Sequence, residues 1–231
     1  MSRLILVRHG ESIWNRQNRF TGWVDVSLSP KGIEEASRVG LRLADEVFDV
    51  AFSSVLLRAQ DTLYEILKHN RHCPQYVRVH ERSQAWYEHY HPAPGDDSEL
   101  RIYMSEKLNE RYYGDLQGLN KDDARRRFGE EQVHLWRRGY AVRPPGGESL
   151  EMTTRRVMPY YHERIEPRLR DGQRILVSAH GNSLRALAMH IQGLDEEEIV
   201  RFEIPTGTPH VYDFDKDLNL IDHQVWILED A

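Results

Sequence analysis

The amino-acid sequence predicts an α/β fold in three layers, with helices on both faces of a mainly parallel central sheet and an inserted lobe. Apolar runs of strand length alternate with longer segments of helical periodicity, a pattern typical of parallel sheets. Two of these runs, at residues 4–7 and 175–179, are apolar except for Ser178, as strands buried on both faces are. The 231-residue chain suits a single domain over residues 1–231, with an irregular insertion at about 70–105.

The first half of the chain begins with the strand at 4–7. Ser29 is a plausible N-cap and Pro30 a first helical residue, and the apolar residues of the helix that follows are Ile33, Ala36, Val39 and Leu43. Residues 48–54 predict a second strand and residues 55–69 a second helix. One side of that helix carries Leu56, Ala59, Leu63, Ile66 and Leu67.

The second half contains two short helices within residues 121–140, which we expect to be separated at Gly129. A longer helix follows Ser149, and we expect Pro159 and Pro167 to disturb it. After the apolar run at 175–179, the next helix ends at Gly193. Residues 210–215 and 220–228 predict two late strands.

Composition limits the classes of function. The formal net charge of −6 argues against a general nucleic-acid-binding protein, so an anion site has to be local. Cys73 is the single cysteine, which precludes an intramolecular disulfide and favours a reducing compartment. The first apolar run is too short for a signal peptide or a membrane span, so we expect a cytoplasmic protein without membrane contacts.

Two apolar runs end in the same way, in Arg8-His9-Gly10 and in His180-Gly181. Ligands of open α/β sheets bind outside the carboxyl ends of the strands. If the two strands are neighbours, both imidazoles lie in one crevice. Histidine can carry a covalent intermediate, and arginine offers a planar fork that suits phosphate oxygens. The pattern therefore favours phosphoryl transfer, with Arg58 as a further cation.

Longer motifs carry a family resemblance: LVRHGESIWN, FTGW, KLNERYYGDLQGLNK, QVHLWRRGYAVRPP, AHGNSLRAL and PTGTPHVYDFD. With these motifs the chain resembles the histidine phosphatase superfamily and, within it, the cofactor-dependent phosphoglycerate mutases. The resemblance implies interconversion of 3-phosphoglycerate and 2-phosphoglycerate through a phosphohistidine, primed by 2,3-bisphosphoglycerate and without a metal. It leaves open whether the protein is a homo-oligomer.

The resemblance also implies roles for individual residues. His9 is the expected nucleophile and Glu110 the expected general acid and base. The phosphoryl group in transfer is expected to contact Arg8, Arg58, His180 and Asn15. The residues expected to bind the substrate's carboxylate and second phosphate are Tyr113, Lys121, Arg137 and Arg138, and those expected to line the pocket are Thr21, Gly22, Gly181 and Asn182.

Two alternatives remain at this point. The first is a hydrolase of the same superfamily acting on a small phosphate ester, which need not keep Lys121, Arg137 and Arg138 together. The second is a non-catalytic phosphate-binding module, which predicts a damaged catalytic set, and none is damaged. The histidines and Cys73 within residues 69–91 fit no standard zinc spacing, so we expect no metal there.

Overall fold

The computed structural model describes residues 1–73, 75–80 and 99–228. Most of the predicted insertion, residues 81–98, lies outside the described residues. The strands are β1 (Ser2–Arg8), β2 (Val50–Ser53), β3 (Tyr76–Val79), β4 (Leu100–Met104), β5 (Arg174–Ala179), β6 (Pro209–Phe214) and β7 (Leu220–Val225). The helices are α1 (Ile13–Arg16), α2 (Pro30–Arg42), α3 (Leu57–His69), α4 (Lys121–Phe128), α5 (Glu130–Arg138), α6 (Leu150–Tyr160), α7 (Glu166–Arg170), α8 (Gly181–Gln192) and α9 (Glu196–Arg201).

The seven described strands form one sheet in the order β3-β4-β2-β5-β1-β6-β7. The five strands from β3 to β1 run parallel, and β6 and β7 are antiparallel to their neighbours. Strands β1 and β5 are paired, with Leu4 opposite Ile175. The predicted α/β fold class is confirmed, as is the expectation that these two strands are neighbours.

Each face of the sheet has its own hydrophobic core, because successive strand residues point to opposite faces. On one face, Leu4 and Leu6 pack with residues of α6 and α8. On the other face, Ile5 and Val7 pack with residues of α2 and α3. Both cores are closed by helices, which is the predicted three-layer arrangement.

The predicted helix boundaries follow from local chemistry. The Ser29 hydroxyl caps α2 by accepting a hydrogen bond from the Gly32 N–H at 3.1 Å, and Pro30 is its first residue. Gly129 separates α4 from α5 at a φ of +87°, and Gly193 ends α8 in the left-handed region. These positive φ angles suit glycine because it has no Cβ.

One of the two prolines coincides with a change in the long helix. Pro159 lies inside α6, which continues past it to Tyr160, and a π-helical turn, Tyr161–Ile165, connects α6 to α7 just before Pro167. Pro167, in the first turn of α7, has no N–H to donate to a carbonyl in the preceding turn, and its ring pushes that carbonyl away. The wider π turn accommodates this change.

Three details of the sequence interpretation were wrong. Strands β3 and β4 occupy parts of residues 70–105, where we expected irregular structure; both pair in parallel with their neighbours. Each is only four or five residues long and carries charged residues, so its pattern is weak. Ile33 faces solvent with 49% of its surface exposed rather than packing in the core. Helices α1 and α9 were not predicted, because four and six residues are too few to show a helical periodicity.

Candidate active site

The two His-Gly motifs lie side by side at the carboxyl ends of β1 and β5. The His9 N–H donates to the Ala179 carbonyl oxygen at 3.0 Å, which continues the pairing of the strands. The His9 and His180 rings are 4.9 Å apart, centroid to centroid, in an edge-to-face arrangement. The structure thus brings together two imidazoles that are 171 positions apart in the chain.

His9 is held as a neutral ring with one unprotonated nitrogen. Its Nδ1–H donates to the Gly10 carbonyl oxygen at 2.7 Å, since a carbonyl can only accept. Nε2 is therefore unprotonated, and it accepts a hydrogen bond from Arg58 Nε at 3.3 Å. Burial, together with the charges of Arg58 and Arg8, places the pKa of His9 well below its ordinary value. A neutral imidazole is the form that can act as a nucleophile.

Gly10 allows the strand end to turn into the site. A Cβ on Gly10 would lie 2.2 Å from the Gly32 carbonyl oxygen, which belongs to the backbone of α2. The Gly10 N–H donates to the Thr62 hydroxyl at 3.1 Å. The glycine after His9 is thus required by the close approach of β1 to α2 and α3.

Arg58 is a rigid cation beneath the cleft. It is the second residue of α3 and only 1% exposed. Its two terminal nitrogens donate to the carbonyl oxygens of Gly22 at 2.8 Å and Val24 at 3.0 Å. Burial lowers its pKa to about 10, which leaves it charged at neutral pH. The guanidinium is thereby oriented toward His9 before any ligand binds.

Ser54 holds the His180 ring in place. The Ser54 hydroxyl oxygen accepts from the Leu56 N–H at 3.2 Å and lies 2.7 Å from His180 Nε2. The hydroxyl can donate to Nε2 or accept from it, because its oxygen has two lone pairs. Burial and the nearby Arg58 charge keep the pKa of His180 far below normal. Nδ1 is buried and has no partner among the described residues.

Glu110 meets the histidines from the opposite side of the cleft. Its Oε1 accepts from the Arg111 N–H at 2.7 Å, the Asn182 N–H at 3.2 Å and the Asn182 Nδ2 at 2.8 Å. No described residue donates to Oε2. Its backbone carbonyl accepts from the Trp23 Nε1 at 2.6 Å. One carboxylate oxygen is therefore anchored and the other remains available for proton transfer.

A second group of cations forms the outer wall of the cleft. Lys121 begins α4, and Arg137 and Arg138 end α5. Burial and the neighbouring arginines, Arg137 first, lower the pKa of Lys121 to about 8. Burial also lowers the pKa of Arg137. Three positive charges close together and partly buried repel one another. A bound anion would offset this repulsion, so the three side chains are suited to bind an anion.

Every predicted site residue except His180 lines one cleft of about 690 Å³. His180 lies beneath it, fully buried against His9. The residues that meet there from the prediction are Arg8, His9, Asn15, Thr21, Gly22, Arg58, Glu110, Tyr113, Lys121, Arg137, Arg138, Gly181 and Asn182. The shared location does not by itself assign their roles.

Five lining residues were missed: Arg19, Phe20, Arg185, Glu203 and Ile204. Arg19 and Phe20 stand directly before or within the FTGW motif, and Arg185 stands within AHGNSLRAL, so proximity to a motif was a usable signal. Glu203 and Ile204 carry no such signal. They enter the cleft because the Arg8 Nη1 donates to the Ile204 carbonyl oxygen at 2.9 Å.

Within the described ranges 1–73, 75–80 and 99–228, no three His, Cys, Asp or Glu side chains are grouped so that they could hold a metal ion. Two of the clustered histidines, His89 and His91, lie outside those ranges. In the same described part of the chain, no helix is long and apolar enough to cross a membrane.

The model of the histidine phosphatase superfamily, branch 1, matches residues 4–90 and 93–226. The chain belongs to this superfamily. Its relatives include a 2,3-bisphosphoglycerate-dependent phosphoglycerate mutase of Pseudoalteromonas atlantica, 57% identical over 97% of this chain and 99% of that protein. A phosphoglycerate mutase of Schizosaccharomyces pombe is 49% identical over 93% of this chain and 90% of that protein.

Solved structures of other superfamily proteins share the fold. A mycobacterial glucosyl-3-phosphoglycerate phosphatase matches with a TM-score of 0.74 at 20% identity, covering 99% of each chain. An Escherichia coli protein described as a putative alpha-ribazole-5'-P phosphatase matches with a TM-score of 0.71 at 23% identity, covering 99% of this chain and 96% of its own. At these identities the likeness concerns the histidine phosphatase fold alone.

Proposed function

We propose that this protein is a phosphoglycerate mutase, which interconverts 3-phosphoglycerate and 2-phosphoglycerate through a phosphohistidine on His9. The observation that carries the proposal is the second cationic group, Lys121 with Arg137 and Arg138, in the same cleft as His9 and Glu110. A substrate with a phosphate to transfer and a second anionic end requires two such groups. The names of the full-length relatives support the same function.

The cleft fits 2,3-bisphosphoglycerate, the compound that we propose primes the enzyme. Four polar atoms around the cleft are buried without a partner in the described part of the chain: Arg8 Nε, Thr21 Oγ1, His180 Nδ1 and Arg185 Nε. The two arginine nitrogens and the Thr21 hydroxyl can donate hydrogen bonds, as phosphate and carboxylate oxygens require, and His180 Nδ1 does so when it carries the ring hydrogen. When bound, the bisphosphate supplies the phosphoryl group that loads His9.

The chain's own residues account for the transfer steps. In one direction, the His9 Nε2 lone pair attacks phosphorus, the N–P bond forms and the ester P–O bond breaks in line. Glu110 gives its proton to the departing oxygen. In the other direction, Glu110 takes the proton of a substrate hydroxyl as the new O–P bond forms and the N–P bond breaks. Isomerisation follows when the group returned is the substrate's other phosphoryl.

Arg8, Arg58 and His180 surround the atoms that react. We propose that they bind the equatorial oxygens, whose negative charge is spread over the transition state. Arg58 needs no reorganisation, because two backbone carbonyls already hold its guanidinium. His180 contributes a neutral imidazole rather than a charge, and Asn15 contacts the same phosphoryl group. The residues proposed to bind the substrate's carboxylate and second phosphate are Tyr113, Lys121, Arg137 and Arg138, and those that line the pocket are Thr21, Gly22, Gly181 and Asn182.

The principal test is conversion of 3-phosphoglycerate to 2-phosphoglycerate by the purified protein in EDTA. We expect conversion, accelerated by added 2,3-bisphosphoglycerate, with little inorganic phosphate released. Both products are measured in one reaction, the isomer by enzyme coupling and phosphate by a colorimetric assay. Phosphate as the main product would overturn the proposal in favour of a hydrolase.

Lys121 provides a pH test of the anion site. Its pKa of about 8 in the free protein means that it loses its charge as pH rises through 8, and an anion favours the charged form. We expect the KM for 3-phosphoglycerate to rise above pH 8, by up to about tenfold per pH unit. The Lys121→Arg variant retains its charge and should lose this dependence. An identical pH profile in both proteins would contradict the assignment.

A cytoplasmic location is part of the proposal, and the free, buried Cys73 is compatible with a reducing compartment.

A further inference from the structure

Arg185 is a buried arginine near the catalytic carboxylate. Its Nε is one of the unpartnered donors around the cleft, but its two terminal nitrogens have no role so far in the proposed reaction. It lies one turn into α8, is 2% exposed and lines the cleft. Among the described residues it forms no ion pair with a carboxylate. Burial lowers its pKa to about 10, and the charges of Arg111 and Arg138 act in the same direction. Burying a cation without an ion-pair partner costs stability, which suggests that the hydrogen bonds of Arg185 have a role in the site.

The side chain of Arg185 joins two elements. Its Nη1 donates to the Asn182 Oδ1 at 3.0 Å, and its Nη2 donates to the Ile199 carbonyl oxygen in α9. The second contact holds the guanidinium in place from outside α8. The first contact is therefore made by a donor whose position does not depend on Asn182.

Only one orientation of the Asn182 amide suits its two neighbours. Arginine has donors and no acceptor, so the amide oxygen has to face Arg185. The amide nitrogen then faces Glu110, and its Nδ2 donates to Oε1 at 2.8 Å. With the amide reversed, its oxygen would face a carboxylate and its NH2 a guanidinium. Arg185 and the ionised Glu110 carboxylate thus both favour the orientation in which Asn182 donates to Glu110, and Arg185 maintains it when Glu110 is protonated.

These contacts determine which oxygen of Glu110 can transfer a proton. Oε1 accepts three hydrogen bonds, one from the Asn182 amide and two from backbone N–H groups. Oε2 has no donor among the described residues and is the oxygen available for proton transfer. If the amide were free to reverse, the carboxylate would lose one of three contacts and could rotate. Proton transfer depends on the alignment of that one oxygen with the substrate hydroxyl.

We propose that Arg185 is a positioning residue for proton transfer, acting through the Asn182 amide on the Glu110 carboxylate. The inference rests on the proposed mutase function. Arg185 acts on Asn182, and Asn182 acts on Glu110. Replacing Arg185 should therefore lower kcat only in a protein whose residue 110 can transfer a proton.

A double-mutant cycle tests this chain of action. Arg185→Met removes the donors while keeping a long side chain. We expect it to lower kcat by roughly 10- to 100-fold, as loss of outer contacts to catalytic ligands does elsewhere, with the KM for 3-phosphoglycerate changed less than about threefold. In the Glu110→Gln background, the same substitution should lower kcat by less than about threefold, because no carboxylate remains to be positioned.

Controls separate the possible failures. Arg168→Met replaces a half-buried arginine that donates to the Arg164 carbonyl oxygen away from the cleft, and it should leave kcat unchanged. Thermal unfolding of each variant confirms that it is folded. Equal losses of kcat in both backgrounds would overturn the proposal in favour of a structural role, as would a raised KM at unchanged kcat, which indicates direct substrate binding. Absence of isomerase activity in the wild-type protein would instead refute the proposed function.

Discussion

Acid-labile phosphate is expected to disappear from the protein when His9 is replaced by alanine. We also expect turnover to fall by a factor on the order of 10⁴ or more, as it does when the nucleophile of a catalytic triad is removed. The reason is that His9 lines the cleft beside the phosphate-binding cations with an unprotonated Nε2, whereas His180 lies beneath the cleft. The measurement is incorporation of label from 2,3-bisphosphoglycerate, followed by release at low pH.

The geometry distinguishes His9 from His180 although both rings are buried and neutral. His9 uses Nδ1–H to bind the Gly10 carbonyl oxygen, so Nε2 is unprotonated and accepts a hydrogen bond from the Arg58 cation. His180 Nε2 is instead hydrogen-bonded to the Ser54 hydroxyl. His9 lines the cleft, whereas His180 lies beneath it, so we assign the nucleophile to His9. We expect His180→Ala to slow transfer while still permitting some labelling of His9.

An exposed histidine provides the matched control for the labelling experiment. His72 lies near the amino-terminal ends of β2 and β5, far along the sheet from the cleft, in a depression shared with Asp49 and Arg174. His72→Ala should incorporate label as the wild-type protein does. Label that persists in His9→Ala at the wild-type level would move the nucleophile to another residue.

Glu110→Gln is expected to reduce kcat by roughly 10²- to 10⁴-fold, the range for loss of a general acid–base group. The glutamine is nearly isosteric, and its amide oxygen can still accept the hydrogen bonds of the Arg111 N–H and Asn182. Shape and anchoring are therefore retained, and the lost feature is the capacity to take up and release a proton. The measurement is steady-state turnover of 3-phosphoglycerate with saturating 2,3-bisphosphoglycerate.

The KM of the same variant provides an independent test of the assignment of Glu110 to acid–base catalysis. We expect the KM of Glu110→Gln to stay within a few-fold of the wild-type value, because the cationic wall of Lys121, Arg137 and Arg138 is untouched. Glu106→Gln, which alters an exposed acid four positions earlier, is the control and should be fully active. A turnover number near the wild-type value in Glu110→Gln would remove this residue from acid–base catalysis.

Much of the fold could be predicted from local patterns. The centres of strands β1 and β5 are apolar runs because both faces of the central sheet are covered, and that pattern is visible without coordinates. The Ser29 cap begins α2 and Gly193 ends α8 through chemistry contained in a few consecutive residues. Strands β3 and β4 were missed because each is short and contains an arginine, so that its pattern is weak; their pairing with β4 and β2 is a property of the tertiary structure.

The sequence by itself determined the fold class, the two His-Gly strand ends and the set of residues that could serve phosphoryl transfer, because strand burial, capping and motif identity are local properties. Only the tertiary structure decided that His180 Nε2 is hydrogen-bonded to Ser54, which oxygen of Glu110 is anchored and that Arg185 donates to the Asn182 amide. These features depend on hydrogen bonds between residues up to 126 positions apart, such as Ser54 to His180. Such contacts exist only once the strands are paired and the helices packed, so no local pattern records them.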